Sequence, residues 1–298
     1  MKLKYKTLPD SEGGSAVPGC GTIHISEIKA TLTKLSDDLE FPFDLNDYTM
    51  GSTGKSEYSG DIDVVLDDRW WGHGAAAFRE NLVELYGLEN TARNGAMIHL
   101  KYPIVGYNAA LNKRKPRTGF VQVDFNFGNY EWEKFYHYSL GDDSEYKGAH
   151  RNLMISAICA VIDVHPFIDL NDPCPCIWEG DRPANIIRWK WGENGLIRVN
   201  RRSVKDKHGH WKRKQEDTTI AGPYIEPKTI IDILFPGYHN IHALDSMETI
   251  MTAVKATYGM VEQERVWKRT ASNFYDWKDG RNFYYPEEIS KYFPIDDK

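Results

Sequence analysis

In residues 120–128, FVQVDFNFG, apolar and polar side chains alternate without a break from Val121 to Phe127. Successive side chains of a strand point to opposite faces, so Val121, Val123, Phe125 and Phe127 share one face and Gln122, Asp124 and Asn126 share the other. No helical period accommodates that pattern. The chain therefore has to build a sheet with one face given to an apolar core. A carboxylate stands in the middle of the other face.

The segments around this strand supply its partners. Ile25, Ile28, Leu32, Leu35 and Leu39 recur at three- and four-residue steps, which predicts a helix with Ser26 as its cap and a stop before Pro42. YTMGSTG (48–54) reads as a short strand entering a tight turn, and DIDVVLD (61–67) as a strand. GAAAFRENLVELYG (74–87) predicts a helix with Phe78, Leu82 and Leu85 on one face and Gly87 as its stop. AMIHLKYPIV (96–105) is a further strand, joined to residue 120 by the basic connector NKRKPRTG (112–119).

After GDDSEYKG (141–148) the character changes. Residues 149–163 read as a helix, and ANIIRWKW, GLIRVNRRSVK and HWKRKQED as two or three strands linked by GENG and DKHG turns. PKTIIDILFPG and ALDSMETIMTAVKATYG add at least one more helix. The fold class expected is α/β in the α+β sense, a mixed sheet with flanking helices plus a second α+β domain. Residues 1–21 are expected to be a flexible tail or a loop laid on the surface. Residues 22–140 form the first domain and 141–298 the second, with the boundary placed near 135–148.

A chain of 298 residues with 41% hydrophobic side chains can bury a sizeable core. Its net charge of −6 does not mark it as a polyanion binder, but the charge is uneven. Residues 188–214 hold ten Lys or Arg against Glu193 and Asp206. Trp189, Trp191 and Trp211 are interleaved with those cations. Cationic strands with aromatic faces suit a single-stranded nucleic acid, whereas tryptophans packed inward would leave only a basic hairpin. RNA or another nucleic acid is the partner expected here, through 188–214 and the 112–117 connector.

Four cysteines do not make a disulfide scaffold, so a reducing, cytoplasmic setting is expected. The start of the chain lacks the apolar run of a signal peptide. The longest apolar stretch, MISAICAVI (154–162), is far short of the ~18–20 residues that span a bilayer. The expectation is a soluble protein with no membrane partner. His165, Cys174 and Cys176 lack a structural zinc spacing, and Pro173 and Pro175 make that loop rigid.

The chemistry concentrates in GSTGKSEYSGDIDVVLD (51–67). Gly54-Lys55-Ser56 ends like a P-loop, but the first glycine of that motif would fall at Thr49, and a strand bearing two acids follows instead of a helix. Asp61 and Asp63 in one strand share a face about 6.7 Å apart. Two charges at that spacing repel by about 2.5 kcal/mol at an effective dielectric near 20. Asp124 on a neighbouring strand would add to the repulsion. Hard divalent cations with oxygen ligands are the natural occupants of such a cluster.

A Gly-Ser turn, an acid–apolar–acid strand and a third acid on a later strand together resemble the nucleotidyltransferase superfamily. That superfamily includes DNA polymerase beta, poly(A) polymerases, tRNA CCA-adding enzymes and kanamycin nucleotidyltransferase. The resemblance covers residues 25–135, with MGSTGKSEYSGDIDVVLD and VQVDFNF carrying it. It implies a catalytic domain over 22–140 and an acceptor-recognition domain over 141–298. It implies that Asp61 and Asp63 ligate two Mg²⁺ or Mn²⁺ ions. Asp124 would ligate the catalytic ion and take the proton of the acceptor hydroxyl. Gly51 and Ser52 would hold the triphosphate of an NTP, with ATP the expected one, assisted by Lys55, Ser56, Lys147 and Arg151. The reaction implied attaches NMP to an acceptor hydroxyl and releases pyrophosphate. An RNA or tRNA end is the favoured acceptor. Transfer to a small molecule or protein, cyclic oligonucleotide synthesis, and a non-catalytic nucleic-acid-binding protein on the same fold are the alternatives.

Overall fold

A computed structural model describes residues 16–67, 74–95, 97–111, 117–140, 143–144, 146, 148–162, 165–166, 185–205, 211–277 and 285–293. The fold is mixed α+β, and the chain divides into two compact units between Gly148 and Ala149.

The first unit runs β1 (Ile23–His24), α1 (Ile25–Asp38), β2 (Tyr58–Ser59), β3 (Ile62–Asp67), α2 (Gly74–Tyr86), β4 (Thr91–Asn94), β5 (Met97–Pro103), β6 (Phe120–Gly128) and α3 (Tyr130–Tyr136). Its main sheet has the order β3-β6-β5-β4. β3 and β6 pair in parallel, and the other two pairings are antiparallel. The alternation in β6 places Val121, Val123 and Phe125 in one core with Ile62, Val64 and Leu66 of β3 and Ile98, Leu100 and Tyr102 of β5. Ile28, Leu32 and Leu35 of α1 and Phe78 and Leu82 of α2 close that core. The polar face of β6 is buried as well, since Gln122, Asp124 and Asn126 are all shielded from solvent.

Several local expectations change. α1 is capped by His24 rather than Ser26: the ring Nδ1 accepts from the Ser26 N–H, and Glu27 accepts from the His24 N–H. Ser26 is already inside the helix. In α2, Leu85 is 53% exposed, because Tyr86, four residues after Leu82, takes the core side of the last turn and meets Tyr102 edge-on at 5.9 Å. Residues 16–21 are not a free tail. Val17 and Cys20 are buried, the Gly21 N–H donates to the Phe120 carbonyl at 2.8 Å, and the N–H groups of Ala16 and Val17 donate to Gln122.

Of the cations in the basic connector only Arg117 is described, and it is not an exposed one. Lys113, Arg114 and Lys115 lie outside the described residues. Arg117 is buried and serves structure: it pairs with Glu27, donates to the carbonyls of Thr22 and Asn108, and lies over the Tyr107 ring. Glu27 accepts in addition from the Asn108 N–H at 3.0 Å.

The second unit contains α4 (Gly148–Val161, entered from the last residue of the first), β7 (His165–Pro166), β8 (Asn185–Gly192), β9 (Gly195–Lys205), β10 (Trp211–Tyr224), α5 (Pro227–Leu234), α6 (Met247–Thr257), α7 (Met260–Trp277) and α8 (Glu287–Ser290). The strands form an antiparallel sheet in the order β10-β9-β8-β7. Trp189 and Trp191 are buried, so neither offers a stacking face to a nucleic acid. Arg201 forms a two-pronged pair with Asp217 at 2.6 and 2.8 Å, and Lys190 approaches the same carboxylate at 3.5 Å. Residues 206–210 and the side chains of 202–216, Trp211 among them, lie outside the described residues, as do Cys174 and Cys176. Cys20 and Cys159 are free, buried thiols. Among the described residues, no helix is long and apolar enough to cross a membrane.

Removing Arg117 leaves the Glu27 charge buried and unpaired, a change that typically costs about 3–5 kcal/mol. Arg117→Ala should lower urea stability by that order. Arg117→Lys should recover little, because an ammonium cannot reproduce a planar fork serving three acceptors. Unfolding curves with unchanged midpoints would refute the structural role.

Candidate active site

The turn after Thr49 is fixed onto β3 at one residue. The Met50 N–H donates to the Asp63 carbonyl at 3.0 Å, and the Asp63 N–H donates to Thr53 Oγ1 at 2.9 Å. Gly51 adopts φ +65°, and a Cβ there would stand 2.9 Å from Asp63 Oδ2. Glycine therefore meets two requirements here, a left-handed backbone and close approach to a carboxylate. The Gly54 N–H donates to Ser59 Oγ at 3.0 Å. The chain then enters β2 and β3, not a helix, which agrees with the rejection of a P-loop.

The sheet sets the acids side by side. Asp63 on β3 is in register with Asp124 on β6, and Asp124 is in register with His99 on β5. Adjacent strands lie about 4.8 Å apart, so the two carboxylates are neighbours on one face. Asp61 lies immediately before β3. The Asp63 carboxyl is pushed well above the usual carboxylate range, first by burial and then by the charges of Asp61 and Asp124.

Asp124 is 6% exposed, and its Oδ1 accepts two hydrogen bonds, from His99 Nδ1 and from Gln122 Nε2, each at 2.8 Å. Gln122 Oε1 in turn accepts from the Ala16 and Val17 N–H groups at 3.0 and 3.1 Å. Sequence reasoning missed His99 and used Gln122 only as a marker of the polar face. The only available signal was the phase of His99 within MIHLKYP, which puts it opposite the apolar set.

The remaining residues singled out from the sequence divide. Ser52 is exposed in the turn and Ser56 partly buried. Lys55 donates to the Ser139 carbonyl and lies over the Tyr138 ring at 4.4 Å. Burial, with the like charge of Lys134, lowers its ammonium pKa. Lys147 lies outside the described residues. Arg151 belongs to the second unit, where it is 1% exposed and donates to the Leu244 carbonyl and to Asn152 Oδ1. Its guanidinium is spent inside that unit's core and is not presented to a ligand.

Among the described residues, no three His, Cys, Asp or Glu side chains are gathered as a ready ligand set. The chemistry of the donors nevertheless fits a hard divalent cation. Asp63 and Asp124 offer carboxylate oxygens from adjacent strands, Asp61 stands two residues from Asp63, and burial and the charges of Asp61 and Asp124 oppose the charge on Asp63. A cation would remove that opposition.

No protein-family model matches the chain, and no curated protein sequence matches it. Among solved structures it is similar to Leishmania infantum polymerase beta in its ternary P/T complex and its ternary gap complex. Both have 12% identity and a TM-score of 0.36 over 76% of this chain. The coverage is 77% of the polymerase chain in the first complex and 71% in the second. Similarity this distant carries no weight for function, which rests on the residues themselves.

Two substitutions at one contact should move stability in opposite directions. A carboxyl whose folded pKa is raised loses stability as pH climbs from its unfolded value, about 3.9, to its folded one. Asp63→Asn should therefore melt higher than wild type at pH 7 in EDTA, with the gap closing toward pH 4. Gly51→Ala should be destabilised by about 1–2 kcal/mol for its left-handed backbone alone. Thermal unfolding from pH 4 to 8 checks both; an Asp63→Asn protein less stable than wild type at pH 7 would contradict the strained-acid account.

Proposed function

We propose that the chain is a metal-dependent nucleotidyltransferase that moves NMP from an NTP to an acceptor hydroxyl. The observation that carries this reading is the register of Asp63 opposite Asp124 on adjacent parallel strands, behind a turn whose Gly51 packs on the Asp63 carboxylate. Asp61, Asp63 and Asp124 are the residues that would hold Mg²⁺ or Mn²⁺. A pair of such ions supplies charge neutralisation at the attacking and leaving oxygens of an in-line displacement.

The chain's own groups do the rest. Ser52 and the amides of the Gly51 turn bind the triphosphate, with Lys55 and Ser56 beside them. The acceptor oxygen forms a bond to the α-phosphorus, the bond from that phosphorus to the bridging oxygen breaks, and pyrophosphate leaves. Asp124 takes the acceptor proton on Oδ2, the oxygen that carries no hydrogen bond among the described residues. ATP is the proposed donor, the second unit is assigned to acceptor recognition, and a cytoplasmic location is proposed with it.

The acceptor favoured is an RNA end, attracted by the cations of 188–214 through phosphate charge, with Trp189 and Trp191 facing inward. That same inward packing supports a second reading, in which the hydroxyl belongs to a small molecule or a protein.

With Mg²⁺ or Mn²⁺ and α-labelled NTPs, the purified protein should transfer label to an acceptor. Asp61→Ala/Asp63→Ala should lose transfer while remaining folded, and undiminished transfer would sink the assignment. Neutralising Arg201, Arg202, Lys212 and Arg213 together should weaken RNA binding and flatten its salt dependence, by a slope of roughly 0.7 per lost phosphate contact. An unchanged slope would favour the small-molecule or protein acceptor.

A further inference from the structure

Asp124 is bound asymmetrically. It is buried, yet both of its hydrogen bonds arrive at Oδ1, and Oδ2 has none among the described residues. Oδ2 is not among the buried polar atoms left without a partner, so it is the oxygen open to solvent and to a ligand. One tied oxygen and one open oxygen is the arrangement of a carboxylate held for a ligand. The two donors are themselves fixed. Gln122 Oε1 is taken by the Ala16 and Val17 N–H groups, so its amide NH₂ must face Asp124. His99 is 5% exposed and directly opposite Asp124 in the β5–β6 pairing, and its Nδ1 meets an oxygen that can only accept. The hydrogen is therefore on Nδ1. His99 Nε2 is buried and meets no hydrogen-bond partner among the described residues.

We propose that His99 is a positioning residue for Asp124: together with Gln122 it pins Oδ1 and so keeps Oδ2 turned toward the cation and the acceptor hydroxyl. This rests on the nucleotidyltransferase reading of the same site. His99 does not touch substrate. It acts through the orientation of Asp124, as hydrogen-bond partners of metal-ligating carboxylates generally do. The N–H groups of Ala16 and Val17 extend the chain of contacts one step further, through Gln122.

The test separates the two ring nitrogens. The Asn side chain sets its amide where histidine carries Nδ1, and the Gln side chain sets it where histidine carries Nε2. Mn²⁺ alone is titrated into the full chain, followed by electron paramagnetic resonance, with thermal unfolding alongside and label transfer from NTP measured separately. His99→Gln should weaken Mn²⁺ binding by about 10–100-fold, the usual loss for such partners, and reduce transfer with it. His99→Asn should stay within about threefold of wild type in both. Equal behaviour of the two variants, or wild-type Mn²⁺ affinity in a folded His99→Gln, overturns the proposal. Should neither His99 variant fold, Gln122→Met, which removes the other donor to Oδ1, carries the test with the same expected loss and the same refutation. Asp63→Asn separates this proposal from the reading beneath it. If Asp63→Asn abolishes Mn²⁺ binding while His99→Gln keeps wild-type affinity, the positioning role fails and the metal site stands. If the His99 split is seen without transfer to any acceptor, the positioning role stands and the transferase reading fails. A wild-type chain that binds no Mn²⁺ overturns both.

Discussion

The parallel pairing of β3 with β6 is the constraint on which the first unit depends. It places Asp63 opposite Asp124 and sets two like charges on adjacent strands in a buried setting. The arrangement is unfavourable for folding without compensation. The same pairing puts Ile62, Val64 and Leu66 against Val123, Phe125 and Phe127 on the other face, where α1 and α2 cover them. The apolar side of the sheet thus fixes the register, and the polar side has to accept what that register brings. A one-residue slip would turn every side chain of β3 to the wrong face, so the acids cannot relax apart without dissolving the core.

Around this pair the backbone is arranged with little freedom. The Met50–Thr53 turn is bonded to both backbone groups of Asp63, and Gly51 comes close to its carboxylate in a left-handed conformation that other residues rarely adopt. His99 on β5, on the far side of β6, and Gln122 within β6 hold Asp124. The site is thus built from strand neighbours and one tight turn, elements that hold geometry better than loops do.

Much of this was legible in the sequence, because period-two alternation is a local signal. β6, β3 and β5 were readable from their own residues, and so was the helical step of Ile28, Leu32 and Leu35. What was not legible depends on distant partners. Nothing in MIHLKYP says that His99 will face Asp124, since register is decided by packing across strands. Arg117 looked like any residue of a basic connector, and its burial follows from Glu27, 90 positions away. Leu85 and Tyr86 competed for one core position, and only the geometry of α2 against β5 chose between them. Trp189 and Trp191 read equally well as stacking surfaces or core, and the second unit uses them as core. α7 was missed because charges crowd it, although Val266, Trp267, Thr270, Ala271 and Phe274 keep a helical step and are buried.

The contact of Ala16 and Val17 with Gln122 makes the beginning of the described chain part of the site's scaffold. A segment that looks expendable by composition thereby becomes a structural reference for the Asp124 carboxylate. Trimming, proteolytic nicking or a bulky fusion close to residue 16 would act on Asp124 through Gln122, three atoms of amide away. The effect would register at the Asp124 carboxylate in a protein whose main core is otherwise untouched.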